Sequence, residues 1–112
     1  MKILWESHAW EDYVYWQFQD KKTLKKINRI ITDICRNPFE GIGKPEPLKE
    51  NLSGFWSRRI DDNGNRVVYF IKDDTVCIIA CKGHYEEQLI FQNKILQILR
   101  FMSGDFFCPF DI

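Results

Sequence analysis

Apolar residues recur along this chain with two different periods. From Ser7 onward, Trp10, Tyr13, Val14 and Phe18 fall along one side of a helix over residues 7–18, and Ser7 is placed to cap it. Asp20 is placed to cap a second helix, in which Leu24, Ile27, Ile30, Ile31, Ile34 and Cys35 recur at helical spacing with lysines opposite. Asn37-Pro38 ends it, because the residue before a proline is pushed out of the helical region. Residues 2–5, 55–61, 66–72 and 75–81 read as strands, with Asp62-Asn63-Gly64-Asn65 and Asp73-Asp74 as turns. Residues 39–48, with glycines at 41 and 43 and prolines at 45 and 47, read as a loop in which Glu46 is held extended.

The element order is therefore β-α-α-β-β-β. This predicts a small α+β domain over residues 1–85, an antiparallel sheet packed on two N-terminal helices. Residues 86–112 read as a C-terminal extension. Leu89, Ile90, Ile95, Leu96, Ile98, Leu99 and Met102 mark an amphipathic helix over 86–102, Ser103-Gly104 stops it, and Phe106, Phe107, Phe110 and Ile112 make an apolar tail. So much apolar surface calls for cover by the domain, a second copy or a partner.

Composition narrows the class. The 112 residues include 15% aromatics, which suits one domain with a core of useful size. No apolar run approaches the ~20 residues a membrane span needs, and the N-terminus turns polar too early for a signal peptide. A single cytoplasmic domain is expected, with no membrane partner. Cys35, Cys77, Cys81 and Cys108 form no C-x-x-C pair, and Cys77 and Cys81 would share a strand face. Buried free thiols are expected, and no metal site or cofactor.

The net charge of zero conceals a segregation. Residues 21–59 carry ten Lys/Arg (21, 22, 25, 26, 29, 36, 44, 49, 58, 59) against four acids (33, 40, 46, 50), while both ends of the chain are acidic. A basic middle suits a protein that meets a polyanion with one surface. Lys21, Lys22, Lys25, Lys26 and Arg29 by themselves are accounted for as the solvated face of the second helix.

Six polar residues stand out: Glu46, Lys49, Arg59, Arg66, His84 and Tyr85. Singly, each has an ordinary explanation as a loop, strand-surface or strand-end residue. Together they form a toolkit. Arg59 and Arg66 flank one turn, so they lie on adjoining strands, and His84 follows the next strand of the meander. A carboxylate, an imidazole and fixed cations are what cleavage of a phosphodiester by its own 2′-hydroxyl requires. One group takes the hydroxyl proton, another protonates the leaving 5′-oxygen, and cations hold the charge that builds on phosphorus. An aromatic ring can stack an unpaired base.

The blocks Glu40-Gly41-Ile42-Gly43-Lys44-Pro45-Glu46-Pro47-Leu48-Lys49 and Asn51-Leu52-Ser53-Gly54-Phe55-Trp56-Ser57-Arg58-Arg59-Ile60 closely resemble the YoeB/Txe toxins of the RelE superfamily. So do Trp10-Glu11-Asp12-Tyr13, Tyr15-Trp16, Arg66-Val67-Val68-Tyr69 and Cys81-Lys82-Gly83-His84-Tyr85. The resemblance covers residues 1–85. It implies the toxin of a bacterial toxin–antitoxin pair, an endoribonuclease that cleaves messenger RNA in the ribosomal A site. By resemblance, Glu46 is the general base, Arg66 stabilises the transition state and His84 is the general acid. Lys49 and Arg59 match cationic positions near the scissile phosphate, and Tyr85 matches a tyrosine that shapes the site. The partners implied are the ribosome with its mRNA and a small YefM-like antitoxin, and such toxins can form homodimers.

Two departures from the family pattern matter. The pattern ends at or just after the His-Tyr pair, whereas this chain continues for 27 residues, and its hairpin turn is slightly longer than usual. The first leaves open an alternative: a catalytically silent antitoxin-binding or corepressor module whose site residues 86–112 cover. A gyrase-poisoning toxin shares the fold without the nuclease residues, and Glu46, Arg66 and His84 together speak against it.

Overall fold

The elements are β1 (Lys2–Trp5), α1 (Ser7–Gln19), α2 (Lys21–Arg36), β2 (Glu46–Pro47), β3 (Trp56–Arg59), β4 (Arg66–Lys72) and β5 (Thr75–Ala80). They are seen in a computed structural model that describes residues 1–49 and 52–83. The expected helix over 86–102 and its apolar tail lie outside the described residues, as do Cys108, His84 and Tyr85. No helix among the described residues is long and apolar enough to cross a membrane.

The α+β architecture is as expected, with two additions. The five strands lie in the order β1-β5-β4-β3-β2, and β1 joins β5 in parallel, with Lys2 opposite Thr75, so the sheet is mixed. The loop expected over 39–48 contributes a two-residue edge strand, with Glu46 opposite Ser57 and Pro47 opposite Trp56. Prolines are tolerated in a sheet at an edge, where one side of the strand needs no partner.

Both helix caps are carboxylates. Asp20 Oδ1 accepts the N–H groups of Lys22 and Thr23, as its position before α2 predicts. At α1 the cap is Glu6 rather than Ser7: the buried Glu6 carboxylate accepts the His8 N–H at 2.8 Å, and Ser7 becomes the first helical residue. Ile27, Ile30, Ile31 and Ile34 of α2 are buried against one face of the sheet, with Trp16, Val67, Tyr69, Val76 and Ile78. On the other face Phe55, Val68, Phe70, Cys77 and Ile79 form a second, smaller core with Leu48. β4 and β5 are thus buried on both faces, which is why they read as continuous apolar runs. Cys77 and Cys81 do not share a face, contrary to expectation: Cys77 sits in the smaller core and Cys81, one residue past β5, in the helix-side core. Cys35, Cys77 and Cys81 are free thiols.

Arg58 organises the approach to β2. It is fully buried on the helix side, and its guanidinium uses every donor it has. Nη1 donates to Asp33 Oδ2 at 2.6 Å and to the Ile42 carbonyl, Nη2 to the Asn37 and Glu40 carbonyls, and Nε to Tyr69 Oη. Tyr69 in turn donates to the Pro38 carbonyl at 2.7 Å. One arginine therefore gathers the whole loop between α2 and β2. Gly41 and Gly43 allow it: both have positive φ, and a Cβ at either position would meet this packing, Asp33 and Arg58 at Gly41, Arg58 and the Arg59 backbone at Gly43.

Candidate active site

On the sheet face away from the helices, three of the six sequence candidates, Glu46, Arg59 and Arg66, converge at the β2-β3-β4 edge. Strand parity does the sorting. Ser57 and Arg59 of β3 point to one side, and the register sets Glu46 opposite Ser57 and Arg66 opposite Arg59. Arg66 Nη1 donates to Glu46 Oε1 at 2.9 Å and to Ser57 Oγ at 3.1 Å. The Arg66 side chain is 15% exposed and the Glu46 side chain 53%, so the carboxylate stands at the mouth of the site and the guanidinium lies beneath it.

Arg59 is exposed beside this pair. Like charges directly opposite each other in an antiparallel pair repel. A single carboxylate faces the two guanidiniums, so the cluster keeps an excess of positive charge open to an anion. Among the described residues Arg59 has no side-chain partner, and the Arg66 Nε and Nη2 donors have none. Lys49 lies exposed two residues past β2, with its carbonyl accepting the Leu52 N–H, and is not in contact with Glu46 or Arg66. His84 and Tyr85 lie outside the described residues. The chain leading to them is described as far as Gly83, whose N–H is held at 2.7 Å by Asn65 Oδ1, the neighbour of Arg66. Among the described residues no group of three or more His, Cys, Asp or Glu is placed to hold a metal ion.

Two residues of this region escaped the sequence reading. Ser57 is buried and steadies Arg66, and its alternation with Arg59 was the available signal. Asn65 looked like a turn residue only.

The arrangement can take a proton at Glu46 and hold a phosphoryl group at Arg59 and Arg66. Two helices on one side of a small mixed sheet is the architecture of the YoeB/RelE-like toxins. The chain belongs to the YoeB-like toxins of bacterial type II toxin–antitoxin systems, whose family model matches residues 5–85. It is 59% identical over 85 residues to toxin YoeB of Escherichia coli O6:H1 (strain CFT073), an alignment covering 76% of this chain and all of that protein. A YoeB/ParE toxin from Agrobacterium tumefaciens, 42% identical, superposes with a TM-score of 0.73 over 76% of this chain and 100% of its own. The Staphylococcus aureus YoeB dimer gives a TM-score of 0.70 at 49% identity over 76% of this chain and 98% of its own. That toxin has also been solved as a heterotetrameric YoeB–YefM complex.

Proposed function

We propose that this toxin is a ribosome-dependent endoribonuclease that cuts messenger RNA in the A site. Glu46 removes the proton from the 2′-hydroxyl, whose oxygen attacks the adjacent phosphorus. Arg66, with Arg59 and Lys49 around it, holds the negative charge of the five-coordinate phosphorus. His84 protonates the 5′-oxygen as the P–O bond breaks, leaving a 2′,3′-cyclic phosphate and a 5′-hydroxyl. Tyr85 shapes the site and can stack an unpaired base. The side chains supply acid, base and charge stabilisation themselves, so the reaction requires neither metal ion nor cofactor. The protein works in the cytoplasm, and a YefM-like antitoxin silences it. A homodimer is the form to expect beside that complex, since the S. aureus relative is solved as both.

The observation that carries this reading is the Glu46–Arg66 pair at 2.9 Å on the open sheet face, with Arg59 in register beside it. Six residues give little hold on a flexible strand, and positioning of reacting groups supplies ~7–11 kcal/mol of a barrier in well-aligned systems. The ribosome, which fixes the message, provides that positioning.

The test is translation in a purified system, with primer extension to map the cut. Full-length chain should cleave within the A-site codon and leave naked RNA of the same sequence intact at equal enzyme concentration. Efficient, specific cutting of the free RNA would contradict the ribosome requirement. A chain ending at Tyr85 should cleave too. Cleavage by that chain together with an inert full-length chain would instead establish the silent module, with residues 86–112 covering the site.

A further inference from the structure

The segment that leads to His84 leaves the sheet at Ala80, and side chains of α1 and of the hairpin turn hold it as far as Gly83. Asp12 Oδ2 of α1 accepts the Cys81 N–H at 3.0 Å, and Trp16 Nε1 donates to the Cys81 carbonyl at 2.8 Å. These two fix the end of β5 against the helices. Beyond them, among the described residues, the Lys82 ammonium lies over the Tyr15 ring at 3.9 Å, and the last hold before His84 is Asn65 Oδ1 on the Gly83 N–H, at 2.7 Å, where Gly83 takes a positive φ of 74°. Asn65 is itself secured by three hydrogen bonds. Its Nδ2 donates to Asp61 Oδ2 at 2.8 Å, its own N–H donates to Asp61 Oδ1, and its carbonyl accepts the Ile60 N–H.

This orientation of the amide is forced. Gly83 offers a donor, so the amide oxygen must face it, and the amide nitrogen then faces the Asp61 carboxylate. An aspartate at position 65 would set two carboxylates against each other. Asn65 is also bonded through the chain to Arg66. One side chain therefore ties the peptide immediately before His84 to the residue immediately before Arg66.

We propose that Asn65 is a positioning residue, one that fixes the backbone entering His84 relative to Arg66 without itself touching substrate. The inference rests on the reading of His84 as the general acid. Acid and charge-stabilising groups serve one phosphoryl group only if their separation is held, and a misplacement of ~1 Å can cost 10²-fold. The hairpin turn is thereby part of the active-site scaffold.

Single-turnover cleavage on programmed ribosomes, with the full-length chain, tests this. Asn65→Ala should lower the maximal rate by about 10- to 100-fold, with the half-saturating ribosome concentration unchanged. In a His84→Gln background the same change should cost less than about threefold, because the group it positions is gone. The exchange Asp61→Asn with Asn65→Asp reverses the donor and acceptor between the two side chains and keeps an acceptor on the Gly83 N–H. It should restore the rate to within about threefold of wild type, while Asn65→Asp alone should not. Thermal unfolding of each variant separates a lost fold from a lost alignment. An Asn65→Ala chain cutting at the wild-type rate would overturn the proposal. So would an equal loss in both backgrounds, or a folded exchange variant no faster than Asn65→Ala. A wild-type chain that leaves the message whole, or a His84→Gln chain that cuts normally, overturns the underlying reading instead, and is told apart by that control alone.

Discussion

Arg58 and Arg66 stand on neighbouring strands, facing opposite sides of one sheet, and do opposite work. Arg58 gives all five of its donors to protein acceptors and is sealed from water. Arg66 gives one nitrogen to Glu46 and Ser57 and, among the described residues, keeps Nε and Nη2 uncommitted on an open face. A satisfied guanidinium is a structural bolt, and one with donors to spare can bind an anion. The same residue type thus serves stability on the helix side and, in the function proposed, anion binding on the other, and burial with partner count decides which.

The difference is sharpest in what each arginine's removal should cost. Arg66→Ala should lower single-turnover cleavage on the ribosome by about 10²–10³-fold, at least as much as Glu46→Ala or His84→Ala, because it removes a fixed charge aimed at the developing one. Ribosome binding should be nearly unchanged and thermal stability should fall far less than in the Arg58 variant, since the Glu46 side of the pair is half exposed. Arg58→Leu should do the reverse. Breaking an ion pair whose guanidinium is buried and orphaning three carbonyls should cost about 3–5 kcal/mol, read by urea unfolding, and lower the melting temperature by more than about 10 °C for a domain this size. An Arg66→Ala chain that cuts normally, or an Arg58→Leu chain of unchanged stability, would break the comparison.

A smaller effect sharpens it through pH. The Arg58 guanidinium, and after it the Ile42 N–H, hold the Asp33 carboxyl below the usual carboxylate range. A depressed folded-state value contributes stability above the unfolded value near 3.9 and loses it as pH falls through the folded one. Asp33→Asn should therefore destabilise the protein at pH 7, and the gap to wild type should close in acid, below about pH 4. Asp12 works with the opposite sign: burial raises its carboxyl, against the Cys81 N–H and nearby His8, so its charge penalty grows as pH rises through that raised value. Urea unfolding of the Asp33→Asn chain across pH 3–7 checks the first sign. A gap that widens in acid would refute it.

Ser57→Ala should give the smallest effect. Loss of one hydroxyl on Arg66 is worth about 0.5–1.5 kcal/mol, so cleavage should slow by about threefold to tenfold. A slowing as large as that of Arg66→Ala would mean that Ser57 itself takes part in the chemistry.

What the sequence made legible follows from range. The two helices show their period, and β1, β4 and β5 their apolar runs, within a few residues, and Asp20 announces itself two and three residues before the N–H groups it caps. β2 is too short to have a period and sits among prolines. The parallel pairing of β1 with β5 joins residues some 70 positions apart. The burial of Arg58 had no local signal, because its acceptors at positions 33, 37, 40 and 42 reach it only when α2 and its loop fold over the sheet. Arg59 and Arg66 were legible as partners since a turn fixes strand parity. Asn65 was not, because its role depends on Gly83, 18 residues away.

The central claim is that the open face performs attack by the message's own 2′-hydroxyl. Its most direct test is a message carrying a single 2′-deoxynucleotide immediately 5′ of the scissile phosphate, presented in the A site to the full-length chain. The account predicts that the all-ribose message is cut to a 2′,3′-cyclic phosphate and a 5′-hydroxyl, and that the deoxy-substituted message stays whole at that bond. Cleavage of the deoxy-substituted bond, with a 5′-phosphate on the downstream fragment, would contradict it.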